Sequence, residues 1–292
     1  MQLQPWSHLS SAGFTLRGWH SPPSGKPLLH VLHGNGFCGR VYEPMLTLLA
    51  GHFDLWLCDA PGHGDSDAGE PFVGWNRCAE LAVEAFEAGR GMFGEVPRHA
   101  LGHSFGGVLS TLILAQHPQL FRRAVLLDPV IFPPALLVFS RALELLGLQR
   151  KRGLIRQTLR RRTSWPDREV AKRGLSNRGI YRNWEPAALQ AFVEHALVER
   201  DGSVELKCRP SREAEIFGSS PRRLWASIKR IDTPTQIIHG ERSYPFVARS
   251  AKRCAAINSH IGELRVAGGH CFMQEDPKMA AAHALAFLLH AD

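Results

Sequence analysis

At 292 residues and 44% hydrophobic, the chain can bury a sizeable core, which favours one large α/β domain, or a domain carrying an insertion, over two equal domains. Its six cysteines (Cys38, Cys58, Cys78, Cys208, Cys254, Cys271) are scattered without a CxxC pair, a pattern of reduced thiols rather than of a disulfide framework or a zinc site. The N-terminus, MQLQPWSHLS, lacks a basic n-region and an apolar h-region, and no apolar run approaches the roughly 18 to 20 residues of a membrane span, so the expectation is a cytoplasmic protein with no transmembrane segment.

In chain order, apolar runs of strand length alternate with helical patterns. Leu28 to Leu32, Phe53 to Asp59, Arg98 to Gly102, Arg123 to Asp128, Thr235 to Gly240 and Glu263 to Gly268 read as buried strands. Val108 to His117 and Pro277 to Leu289 read as helices between or after them. Such alternation predicts a mainly parallel sheet covered on both faces, with ligands bound at the carboxyl ends of its strands. The rhythm breaks from Pro129 to about Ile231, where helix-like segments are punctuated by PP, SWPD, NWEP, CRPS and SSP and no core strand stands out. That interval is too long for a plain loop, and the expectation is a core of residues 1–128 and 232–292 with a helical cap, 129–231, inserted between two strands.

The net charge of +8 is unevenly spread: thirteen Lys or Arg between Arg141 and Arg182 face Glu144, Asp167 and Glu169. The plain reading is a solvated helix face. Its alternative is a patch that attracts phosphates, anionic lipid or acidic substrates. Aromatic interleaving is sparse and no nucleic-acid motif accompanies it, so no nucleic-acid partner is expected. The sequence carries no signal for oligomeric state.

Gly102-His103-Ser104-Phe105-Gly106 has the form G-x-S-x-G, with a strand before it and a helix after it. A corner that tight leaves no room for side chains at the flanking positions and projects the serine hydroxyl outward. A serine hydroxyl needs a base to take its proton. Of the fifteen histidines, His52, His99, His117, His283 and His290 have ordinary surface or core positions, whereas His270 lies in VAGGHCFMQEDP, a glycine-rich loop after the last core strand. The loop HGNGFCG after Leu32 lets backbone amides approach a substrate, so Asn35 and Phe105, the residue following the serine, are the expected oxyanion donors.

With HGNG (His33 to Gly36), DAPGHGDSD (Asp59 to Asp67), GHSFGG (Gly102 to Gly107) and GGHCFMQEDP (Gly268 to Pro277) in this order, the chain resembles the α/β-hydrolase superfamily. The resemblance implies an eight-stranded, mostly parallel sheet flanked by helices and a Ser, acid, His order along the chain, with Ser104 as nucleophile, His270 as base and the Pro61 to Gly64 turn, His63 included, structural. It also implies an aspartate where HGERS has Ser243. Two substitutes stand in the sequence. Asp128, closing the strand after the serine's, is a position that some relatives use and is preferred here; Glu241, two residues before the missing aspartate, is the alternative. Asp232 precedes its strand and lies at the wrong end.

Serine at the corner argues against the dehalogenases and epoxide hydrolases of that superfamily, which the resemblance says use aspartate there. The expected chemistry is acyl transfer on a small-molecule carboxylic ester or thioester, anionic if the basic stretch meets it. No metal or organic cofactor is expected, since HExxH and paired metal-ligand spacings are absent and no GxGxxG follows a strand. C–C bond hydrolysis, lyase chemistry and perhydrolysis on the same groups remain open, as does a binding protein that kept the fold and lost catalysis. Trp165, Tyr181 and Trp184 stand either in the wall of the substrate pocket or in the core.

Overall fold

All six runs with buried-strand character enter one sheet, joined by two N-terminal strands that the apolar pattern does not reveal. The computed structural model describes residues 1–146 and 153–290. The first half runs β1 (Gln4–Leu9), β2 (Thr15–His20), β3 (Leu28–Leu32), α1 (Glu43–Leu49), β4 (Asp54–Cys58), α2 (Trp75–Gly89), β5 (Arg98–His103), α3 (Phe105–Gln116) and β6 (Arg123–Leu127). The chain then leaves the sheet through α4 (Pro134–Leu145), α5 (Gly153–Leu159), β7 (Ser164–Trp165), α6 (Arg168–Leu175), α7 (Pro186–His195), β8 (Leu197–Arg200), β9 (Ser203–Leu206), α8 (Pro210–Gly218) and α9 (Leu224–Ile228). It returns with β10 (Thr235–Gly240), α10 (Pro245–Ile257), β11 (Ile261–Val266), α11 (Phe272–Glu275) and α12 (Pro277–Leu288).

The eight-stranded sheet has the order β1-β2-β4-β3-β5-β6-β10-β11. The β1–β2 hairpin is antiparallel to its neighbours, and from β4 onward every pairing is parallel. Every residue of β3 and β4 is buried, as strands covered on both faces require. Their side chains divide by the two-residue period: Leu29, Val31, Leu55 and Leu57 join the cluster that holds α1 and α12, while Leu28, Leu32, Trp56 and Cys58 join the one that holds α2 and α3. β1 and β2 escape the apolar pattern because one side of this edge hairpin faces solvent and the strands carry His8, Arg17 and His20 among their apolar residues.

The excursion between β6 and β10 corrects the expectation of helices alone. β7, β9 and β8 form a separate three-stranded antiparallel sheet. Its strands are two to four residues long, too short for a strand period to stand out. β8 and β9 meet at Asp201-Gly202, both at positive φ (49° and 75°), the backbone of a tight hairpin turn. Arg150, Lys151 and Arg152 of the basic stretch lie outside the described residues. Of its other members, Arg161 pairs with Glu213 and Arg168 with Glu199. All six cysteines are buried free thiols, and among the described residues no helix is long and apolar enough to cross a membrane.

Parallel pairing of β6 with β10, Ala124 opposite Thr235 and Leu127 opposite Ile238, brings the ends of two strands together across more than a hundred residues of chain. The carboxyl ends of β3, β5, β6, β10 and β11 therefore share one edge of the sheet, where the candidate residues gather.

Candidate active site

Ser104 sits between β5 and α3 with φ 53° and ψ −111°, a left-handed backbone that an L-residue adopts only when its surroundings impose it. Two hydrogen bonds do so: Ser104 N–H donates to Leu127 O (3.0 Å) and Gly106 N–H to His33 O (3.0 Å). The flanking glycines are a steric necessity. A Cβ on Gly102 would lie 2.5 Å from Ser110 Oγ and 2.6 Å from Gly106 O, and one on Gly106 would lie 2.3 Å from Leu32 O.

The structure brings Ser104, His270 and Asp128 into one hydrogen-bonded row. His270 Nε2 is 2.9 Å from Ser104 Oγ, and His270 Nδ1 is 2.6 Å from Asp128 Oδ2. With a carboxylate at Nδ1, that nitrogen carries the proton and Nε2 is left to accept from the serine hydroxyl. Asp128 is fully buried at the end of β6, itself at positive φ (44°). Its Oδ1 accepts from Gly240 N–H at 2.9 Å, and its Oδ2 also accepts the hydroxyl of Ser243. Thus Ser243, standing where the resemblance implied an acid, donates to the carboxylate of the neighbouring strand. Glu241 turns away to Arg242 (3.2 Å) on the surface, and Asp232 is exposed before β10. The loop carrying His270 is pinned from behind, where Glu275 accepts from Gly269 N–H (2.8 Å) and pairs with Arg242 (2.9 Å).

Phe105 follows Ser104 at the start of α3, and Gly34, the neighbour of Asn35, lies close enough that a Cβ on it would stand 3.4 Å from Ser104 Cβ. Among the described residues neither the Asn35 nor the Phe105 N–H has a hydrogen-bond partner. The Asn35 side chain is occupied elsewhere: its Oδ1 lies 3.1 Å from His63 Nε2, whose ring has Nδ1 3.2 Å from Pro61 O and as a neutral imidazole donates to one of the two, and Asn35 Nδ2 donates to Glu213 O (3.2 Å). His63 thus packs against the loop that carries Asn35 as well as standing in the Pro61 to Gly64 turn.

Tyr42 and His103 went unnoticed in the sequence, where neither stands out by motif or periodicity. Gly34 N–H donates to Tyr42 Oη (2.9 Å), Tyr42 O–H donates to His103 Nδ1 (2.7 Å), and His103 Nε2–H donates to the carbonyl of His270 (3.1 Å). Each group is used once in the sense its chemistry allows. This requires a neutral His103, and burial holds its pKa well below that of free imidazole. Burial also pushes His33 down to about 4, and its Nε2 accepts from Ala60 N–H (2.9 Å).

Residues of the excursion pack beside the loop after β3, where Asn35 Nδ2 donates to Glu213 O and the Phe37 and Trp184 rings meet at 5.6 Å. Arg161 makes two hydrogen bonds to the buried Glu213 carboxylate (2.6 and 2.8 Å) and one to Tyr181 Oη (3.1 Å). Trp165, Tyr181 and Trp184 are all buried in the core, Tyr181 and Trp184 edge to face with centroids 5.0 Å apart. The half-exposed Tyr244 ring lies 4.8 Å from that of His270. Among the described residues no three His, Cys, Asp or Glu are grouped to hold a metal ion.

The model of the alpha/beta hydrolase family matches residues 29–283, most of the chain. The chain belongs to the alpha/beta hydrolase family. Curated relatives of this chain include an abhydrolase domain-containing protein of Alternaria alternata, 33% identical over 114 residues (39% of this chain and 38% of that protein). A type I acyl-CoA thioesterase of Penicillium brevicompactum is 38% identical over 181 residues, 56% of this chain and 38% of the thioesterase. The monoglyceride lipase of Mus musculus is 30% identical over 118 residues, 39% of each chain. The chain thus spans well under half the length of these curated relatives. Among solved structures, E-2-(acetamidomethylene)succinate hydrolase superimposes with a TM-score of 0.76 at 21% identity, covering 99% of this chain and 100% of that one. The thioesterase domain from the curacin biosynthetic pathway has a TM-score of 0.73 at 17% identity, covering 98% and 100%. At these identities the solved structures establish the fold.

Proposed function

We propose that this hydrolase cleaves carboxylic esters or thioesters of small molecules through an acyl-enzyme on Ser104. The observation that carries the reading is the row itself, Ser104 Oγ to His270 Nε2 at 2.9 Å and His270 Nδ1 to Asp128 Oδ2 at 2.6 Å. Ser104 Oγ attacks the carbonyl carbon as His270 takes its proton, and the carbonyl oxygen becomes an anion facing the Asn35 and Phe105 N–H groups and the N-terminus of α3. Collapse breaks the bond to the alkoxide or thiolate, which receives the proton from His270. Water then attacks the acyl-serine, His270 again taking the proton, and the released carboxylic acid leaves Ser104 as it began. Asp128 holds the Nδ1–H tautomer and offsets the imidazolium charge, so the serine at position 243 leaves no missing acid and argues against a protein that only binds. The steps consume water alone and call on no cofactor.

The excursion 129–231 acts in this reading as a cap over the strand ends, with the hydrogen bond from Asn35 Nδ2 to Glu213 O (3.2 Å) tying it to the loop after β3. The relatives include an acyl-CoA thioesterase and a monoglyceride lipase, which supports ester and thioester substrates. Buried free thiols suit a reducing compartment, and the cytoplasm is the location proposed. The test is a panel of p-nitrophenyl esters and acyl-CoA thioesters of graded acyl length. Turnover of at least one class is expected, with Ser104→Ala lowering kcat on the order of 10⁵- to 10⁶-fold. A panel left untouched, or turnover retained by Ser104→Ala, would overturn the reading.

A further inference from the structure

Helix α4 presents its apolar residues outward. Ala135, Val138, Phe139, Ala142, Leu145 and Leu146 recur at spacings of three and four, which places them on one side of the helix. That side is exposed: Val138 is 71% accessible, Phe139 56%, Leu145 80% and Leu146 68%. The opposite side carries the buried Ser140, and Leu137 packs there onto the core. Surface apolar residues scattered singly need no account, but a stripe covering a whole helix marks a surface that something covers.

The charges beside it say what. Leu137 and Val138 line one surface cleft together with Arg141, Arg222 and Arg223, and among the described residues none of these three guanidinium groups is in an ion pair. A second copy of the chain fits poorly: Glu80 and Glu144 line the adjoining cleft beside Arg77, Arg141 and Arg222, but with Arg223 the arginines outnumber these carboxylates two to one, and a twofold contact would set that excess against itself. An apolar stripe rimmed by unpaired cations matches the boundary between acyl chains and anionic headgroups.

We propose that α4 docks this protein on anionic phospholipid surfaces, with Val138, Phe139, Leu145 and Leu146 in the acyl boundary and Arg141, Arg222 and Arg223 on headgroup phosphates. The helix begins just beyond the loop that follows Asp128, so docking holds the candidate site next to the lipid phase. The proposal does not rest on the hydrolase reading, since adsorption needs no turnover.

The test is co-sedimentation of the full chain with vesicles of phosphatidylcholine alone and of phosphatidylcholine mixed with phosphatidylserine. Binding is expected to the mixed vesicles, to weaken with added salt, and to be at least tenfold weaker on phosphatidylcholine, from about fivefold for each arginine. Val138→Glu with Phe139→Glu should lower binding by about tenfold or more with an unchanged circular-dichroism melt. Arg222→Ala with Arg223→Ala should lower it on the mixed vesicles alone. If the double glutamate variant melts early, Phe139→Ser serves in its place with the same expected direction. Equal binding to both vesicles, or binding unaffected in a stably folded α4 variant, overturns the proposal. So does failure to bind vesicles, whether or not sedimentation velocity reveals a dimer that the α4 substitutions dissociate.

Discussion

Asp128 occupies a left-handed backbone conformation, φ 44°, of the kind that costs an L-residue about 1–3 kcal/mol, and it accepts hydrogen bonds from Gly240 N–H, Ser243 and His270. A buried carboxylate held by three donors is oriented before any substrate arrives. Asp128→Asn keeps the shape but offers an amide N–H where His270 Nδ1–H needs an acceptor. In steady-state kinetics kcat should fall by about 10⁴-fold, the loss known for this change in the reference serine-protease triad, while Glu241→Gln leaves it unchanged. The opposite pattern would move the acid to Glu241. At this scale the sequence was informative where chemistry is local. Ser104 between its glycines and His270 in its loop can be read from a few neighbouring residues. The choice between Asp128 and Glu241 depends on β6 lying beside β10, a contact between strands separated by the whole excursion, and no local pattern encodes it.

Between elements, Tyr42 links the loop after β3, the end of β5 and the loop after β11. Its hydroxyl accepts from Gly34 and donates to His103, which donates onward to the His270 carbonyl, so the loop bearing Asn35 and the loop bearing His270 are held in one register. Tyr42→Phe would leave the Gly34 N–H and His103 Nδ1 buried without partners, a loss of about 1–3 kcal/mol for each group. The expected result is a lower denaturation midpoint in urea together with a kcat reduced about tenfold, as misplacement of catalytic groups by fractions of an ångström would give. A variant equal to the parent in both would remove Tyr42 from the positioning network. This link was invisible in the sequence, because a tyrosine eight residues beyond a glycine loop looks like any core aromatic. The hairpin β1–β2 and the small sheet of β7, β9 and β8 were missed for a related reason: half-exposed or very short strands bury too little to leave an apolar signature.

For the molecule as a whole, the parallel sheet was legible because its five inner parallel strands, β4, β3, β5, β6 and β10, are covered on both faces, and the same burial carries a pH dependence. His30, enclosed between Phe86 and Phe121, has its pKa lowered by burial to about 3, His33 and His99 to about 4, and His63 and His103 well below the free value. Each ring is less basic folded than unfolded. The unfolded chain therefore binds more protons once pH falls below about 6.5, and stability that is complete above that pH is lost toward pH 4. Asp59, raised by burial to about 6, and Glu213, also raised by burial, act in the opposite sense, two protons against six once His195, likewise lowered by burial, is included. Circular-dichroism melts should show a midpoint that falls steadily from pH 7 to 4.5; a midpoint flat across that range would contradict neutral buried imidazoles. The central claim, a serine hydroxyl made nucleophilic by His270, is tested most directly by intact-mass analysis after treatment with a fluorophosphonate. One adduct is predicted, mapped to Ser104, absent in Ser104→Ala and formed far more slowly in Asp128→Asn. An unlabelled parent protein, or an adduct on another residue, would contradict it.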